Sequence, residues 1–103
     1  MADEARALDA LGDPTRRTVL TLLRGGERSV REITDETAVS QPAVSQHLRV
    51  LRDAGLVTVR PVGTRRLYRV DLDGLAGLRA WVDGFWDDAL AAFVAHAERG
   101  EQP

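Results

Sequence analysis

At 103 residues, 44% hydrophobic and 29% charged, the chain has the size and composition of one globular domain with a single core. Its lack of cysteine excludes a disulfide framework, a thiolate metal site and a cysteine nucleophile. The formal net charge of -2 hides a division: residues 1–40 carry six Arg against eight acids, residues 41–70 six Arg against Asp53 alone, and residues 71–103 two Arg against seven acids. The middle third therefore has the basic balance that a nucleic-acid surface needs.

In chain order, a short first helix is expected from Asp3 to Leu11, with Ala7, Leu8 and Leu11 on one side and Gly12 as its stop. A second helix follows in "GDPTRRTVLTLLRGG". Asp13 suits the N-cap and Pro14 the first helical position, where a missing N–H costs nothing. Val19, Leu20, Leu22 and Leu23 supply its buried face, and Gly25 and Gly26 end it. Ser29 with Glu32 has the spacing of a capping box for a third helix, Val30 to Glu36, with Val30 and Ile33 inward. After a turn through "TAV", a fourth helix is capped by Ser40 and closed by Gly55. Two helices joined by so short a turn form a helix-turn-helix. The branched and aromatic residues of "LVTVRPVGTRRLYRV" predict strands over Leu56–Arg60 and Arg65–Val70 around a turn at Gly63, a projecting wing that carries Arg60, Arg65, Arg66 and Arg69. A last helix is expected from Leu75 to about Glu98, with an apolar stripe too broad for a lone surface helix, one that packs on its own core and on a partner. The fold class is mainly α with a small β-hairpin: a winged helix-turn-helix in the order α-α-α-α-β-β-α, with residues 1–103 as a single domain.

The fourth helix carries the chemistry. At about 100° per residue, Val44, Leu48 and Leu51 fall on one flank, and Pro42, Ser45, Gln46, Arg49 and Asp53 on the other, with Gln41 and Arg52 at its edge. A merely solvated face mixes acids and bases on long side chains; this one offers amides, hydroxyls and Arg. Gln pairs with adenine and Arg with guanine in the major groove, while Ser40 and the backbone N–H groups beside it can hold a phosphate. The expected DNA-binding residues are Ser40, Gln41, Pro42, Ser45, Gln46, Arg49 and Arg52 on the helix, with Arg65 and Arg66 on the wing. Arg49 and Arg52 have the competing option of pairing with a neighbouring acid such as Asp53.

The stretches "ALGDPTRRTVLTLL", "VSQPAVSQHLRVLRDAGLV" and "GTRRLYRVD", in order and over roughly residues 5–98, resemble the ArsR/SmtB-type winged-helix repressors of bacteria. The resemblance implies a homodimer built from the first and last helices, recognition helices in successive major grooves, wings over the minor grooves, and release by an effector, either a small molecule or a protein. The interface would then comprise Leu8, Leu11, Leu78, Trp81, Val82, Phe85, Trp86, Ala89 and Phe93. The closing "LRAWVDGFWDDALAAFVAHAE" looks like the subgroup without metal ligands, and "VREITDE" stands where metal-responsive members carry a Cys-x-Cys pair. Thr37-Ala38 also replaces the usual Leu-Gly of the turn, where a left-handed residue would be strained without glycine, so a slightly different turn is expected and not a lost motif.

No cofactor, metal or catalytic group is expected. His47 borders the inward flank of the fourth helix, so its ring is expected inside the domain. His96 with Asp87, Asp88 and Glu98 is the remaining metal-like grouping, and one imidazole with carboxylates is a poor zinc set. The aromatic residues of the last helix have the spacing of packing groups before that of a ligand pocket. Catalysis lacks a Gly-rich phosphate loop, and Ser45 and His47 point to different sides of their helix. The acidic start "MADEARAL" lacks the order of an export signal, and the charge-free run Ala89 to Ala97 is too short to cross a bilayer, which predicts a cytoplasmic protein with no membrane partner. The expected function is a dimeric repressor, even an autorepressor, acting on an inverted-repeat operator of double-stranded DNA. The alternative is a winged-helix protein-interaction module that no longer binds DNA.

Overall fold

The computed structural model describes residues 4–100. Its elements are α1 (Glu4–Ala10), α2 (Pro14–Leu22) ending in a 3-10 turn (Leu23–Gly25), β1 (Arg28–Ser29), α3 (Val30–Glu36), α4 (Gln41–Asp53), β2 (Val57–Val62), β3 (Arg65–Val70) and α5 (Leu72–Glu98). The expected order of helices and hairpin holds, and β1 is an addition to it. The predicted helix start at Asp3 lies outside the described residues.

Local chemistry sets most of the boundaries. The Asp13 carboxylate accepts from the Thr15 and Arg16 backbone N–H groups at 2.8 and 3.1 Å, satisfying two free donors of α2. Arg16 Nε and Arg17 Nη1 reach back to the Ala10 and Leu11 carbonyls at 2.6 and 2.8 Å, which ties the end of α1 to the start of α2. The capping box of α3 is complete: Glu32 N–H donates to Ser29 Oγ at 3.2 Å, and Ser29 N–H to Glu32 Oε1 at 3.0 Å. Past α3, Thr37 is extended (φ -127°, ψ 163°), and among the described residues no non-glycine has positive φ. The turn into α4 thus contains no left-handed residue, the different turn expected where Thr37-Ala38 stands in place of Leu-Gly. At the end of α4, Gly55 is left-handed (φ 78°), and Leu56 and Gly55 N–H groups bond the Leu51 and Arg52 carbonyls, a Schellman closure.

The antiparallel sheet has the order β1-β3-β2, with Arg28 opposite Tyr68, Ser29 opposite Leu67, and the wing ladder running from Val57–Val70 to Val62–Arg65. Strand β2 reaches Val62 rather than stopping at Arg60. Pro61 is tolerated there because β2 is an edge strand, paired only with β3, and a strand residue whose nitrogen faces the open side has no ladder bond to donate. Gly63 (φ 61°) occupies the first of the two turn positions that close the hairpin.

One apolar cluster holds the domain together. Val19, Ile33, Val44, Leu48, Leu51 and Leu56 are fully buried, with Tyr68, Val70, Leu75 and Leu78 packed against them. Helix α5 starts at Leu72, three residues earlier than the sequence suggests, because Asp71 caps it by accepting from Asp73 and Gly74 N–H. Gly74 is buried against the Gly55 turn, which belongs to the end of α4. Beyond Leu78 the helix leaves the core. The molecule measures 65 × 26 × 22 Å with a radius of gyration of 18.4 Å, well above the ~13 Å of a compact chain of about 100 residues.

Candidate nucleic-acid interface

The two flanks of α4 separate as the sequence pattern predicts. Val44, Leu48 and Leu51 have no exposure, while Gln41, Pro42, Ser45, Gln46, Arg49, Arg52 and Asp53 are exposed. Ser40 is itself exposed and begins the helix, its hydroxyl accepting from Ala43 N–H at 3.4 Å and its carbonyl from Val44 N–H at 2.9 Å. Neither Arg49 nor Arg52 forms an ion pair with Asp53, so both guanidinium groups remain open to solvent. The His47 ring is half-buried, and its Nδ1 is enclosed without a hydrogen-bond partner. Its place is the packed side of the helix.

The wing is less basic in three dimensions than in one. Arg60 grips Glu27 with two hydrogen bonds, Nε to Oε2 at 2.6 Å and Nη2 to Oε1 at 2.7 Å. Arg65 Nη2 donates to Glu32 Oε1 at 2.7 Å. Arg69 Nε rests 3.4 Å from Thr58 Oγ1. Of the two wing residues expected on DNA, only Arg66 stands clear of a carboxylate. Arg65 and Arg66 both border one groove, between β3 and α3.

Electrostatics follow these contacts. The Asp13 carboxyl is held below its ordinary value first by the Arg16 backbone N–H, that of Glu27 by the Arg60 guanidinium, and that of Glu32 by the Ser29 backbone N–H. Glu27 raises Arg60 in turn. Sequence reasoning missed Glu27 and Glu32 as partners of the wing, because each lies 33 residues from the arginine it binds and Glu32 already had a role in capping. Among the described residues, no grouping of three or more His, Asp or Glu is placed to hold a metal ion, and no helix is long and apolar enough to cross a membrane.

The chain thus combines a helix-turn-helix, whose second helix exposes amide, hydroxyl and guanidinium groups, with a β-hairpin wing in a three-stranded sheet. Residues 13–59, which run from the cap of α2 into β2, match the family model described as bacterial regulatory protein, arsR family. The HTH-type transcriptional regulator Rv2034 of Mycobacterium tuberculosis is 50% identical over 89 residues, covering 86% of this chain and 83% of that protein. The chain is a member of the ArsR family. This ArsR-family protein is thus a DNA-binding transcriptional regulator of the winged helix-turn-helix type, from the cysteine-free part of the family. The transcriptional repressor SdpR of Bacillus subtilis is 32% identical over 76 residues, covering 74% of this chain and 84% of that one. The homodimeric winged helix-turn-helix DNA-binding domain of Mb0332 from Mycobacterium bovis superimposes with a TM-score of 0.67 at 37% identity, over 82% of this chain and 78% of that one.

Proposed function

We propose that this ArsR-family regulator is a cytoplasmic, non-catalytic homodimeric repressor that binds an inverted-repeat operator with half-sites about one helical turn apart. The carrying observation is the division of α4, whose apolar flank is wholly buried while Gln41, Ser45, Gln46, Arg49 and Arg52 face solvent with no acid paired to either arginine. In this reading Gln46 and Arg49 read base edges, Ser40 and the first turn of α4 hold a phosphate, and Arg52, Arg66 and Arg65 contact the backbone. Pro42 keeps the first turn slim enough to approach a base, and Gln41 borders it. Relatives support the assembly: SdpR is named a repressor and the Mb0332 domain a homodimer. The apolar residues Leu8, Trp81, Val82, Phe85, Trp86 and Phe93, all more than 40% exposed, are the surface a second copy would cover, with Leu11, Leu78 and Ala89 alongside.

A mobility-shift titration on the DNA upstream of the protein's own coding region, at two salt concentrations, tests the reading. Binding should be tight at low salt and fall steeply at high salt, as phosphate contacts require. Gln46→Ala should relax the preference at one base position, by about 1–3 kcal/mol, without changing affinity for unrelated DNA. Salt-independent binding, or none, removes the proposal.

A further inference from the structure

A groove between α3 and β3 is lined by Ser29, Arg31, Glu32, Asp35, Arg65 and Arg66. Three arginines and two acids border it, and one of the acids is engaged: Glu32 accepts from Arg65 at 2.7 Å. We infer that Glu32 is a built-in competitor for DNA phosphate at Arg65, a carboxylate that holds down the affinity contributed by the wing. This deepens, and rests on, the reading of α4 and the wing as the DNA surface.

Three observations favour a competitor over a structural stitch. The wing does not need this pair to stay in place, because the ladder from Val57–Val70 to Val62–Arg65 and the two-bond Arg60–Glu27 contact already anchor it. Glu27 is the more sheltered acid, with a side chain 26% exposed, whereas Arg65 and Glu32 are 58% and 49% exposed. A pair so open to water holds weakly and exchanges readily for another anion. Finally, Glu32 has a partner without Arg65, since Ser29 N–H donates to the same oxygen at 3.0 Å. The carboxylate is therefore fixed in the groove by the capping box whether or not the arginine is present. A phosphate that approaches Arg65 meets that fixed negative charge and must draw the guanidinium away from it.

The chemistry of the cap supplies a clean test. Glu32→Gln keeps the capping-box acceptor and removes only the charge. Binding of the full chain to a fluorescent duplex from its own upstream region, and to an unrelated duplex, is measured over a salt series for the wild type, Glu32→Gln, Arg65→Ala and the double variant. Glu32→Gln should bind both duplexes about 2- to 5-fold more tightly per protomer and steepen the logarithmic salt slope by up to about 0.9 per protomer. Arg65→Ala should cost more in the Glu32→Gln background than alone. A structural stitch gives the opposite sign, with weaker binding once the pair is broken, and overturns the inference. So does an equal gain from Glu32→Gln with and without Arg65, which marks general repulsion. Wild-type protein that binds neither duplex overturns the DNA reading itself.

Discussion

Gly74 shows how a single atom decides a position. A Cβ built there would overlap the Gly55 carbonyl oxygen and lie 2.8 Å from its carbon, both of them backbone that is pinned by the Schellman closure of α4. In an open helix, replacing glycine with alanine is worth about 0.5–1 kcal/mol; forcing a methyl group into packed backbone costs about 1–3 kcal/mol or more. The clash wins. Gly74→Ala should lower stability by about 2 kcal/mol in a denaturant titration, whereas Gly84→Ala, with nothing within 4 Å of its Cβ, should raise it by a few tenths to about 1 kcal/mol. Equal effects at the two glycines would contradict the close approach. In the sequence "DLDGLAGL" the two roles look alike, and only the contact with Gly55 separates Gly74 from its neighbour Gly77.

Elements were legible where their signals are local. Asp13-Pro14, Ser29 with Glu32, Ser40 and Gly55 each act within a few residues, and the structure shows each cap where the pattern puts it. β1 was not legible, since two residues have no period and Ser29 already reads as a cap. The early start of α5 was hidden because Gly74 looks like a turn residue until Asp71 is seen capping past it. The same carboxylates carry a pH dependence. Asp13, Glu27 and Glu32 have folded-state values below the ordinary 3.8 and 4.5, so their contacts stabilise the fold fully above the unfolded-state values. That contribution is lost as pH falls through the unfolded-state values and then the lower folded-state ones. The thermal midpoint should be flat from neutrality to about pH 5 and fall from about pH 4 downward. Asp13→Asn, which keeps a capping oxygen but cannot titrate, should show a shallower fall.

At the scale of the molecule, α5 is the unresolved debt of the isolated chain. Trp86 is 76% exposed, Phe93 70% and Phe85 61%, and an apolar stripe of that extent on a projecting helix is unfavourable in water. Trp81 and Phe85 pack edge to face at 4.8 Å, which shapes one part of the stripe without covering it. If a second copy covers it, Phe85→Asp should shift the solution mass from dimer to monomer in analytical ultracentrifugation. Operator affinity should then fall by at least tenfold, because two half-sites are no longer engaged together. A dimer that persists in this variant would place the interface elsewhere. Concentration-dependent thermal midpoints in the wild type, absent in the variant, make an independent check.

Period and capping, which act over three or four residues, determined the helices, the hairpin, the buried flank of α4 and the identity of its exposed flank. Charge summed along the chain marked a basic middle, residues 41–70. What the sequence could not assign was how much of that charge is free, because Glu27 and Glu32 belong to an acidic segment and reach the wing only when the sheet brings β1 and α3 against β3. The tertiary structure decided that Arg66 stands clear while Arg60 and Arg65 are held, since an ion pair depends on distance in space and not along the chain.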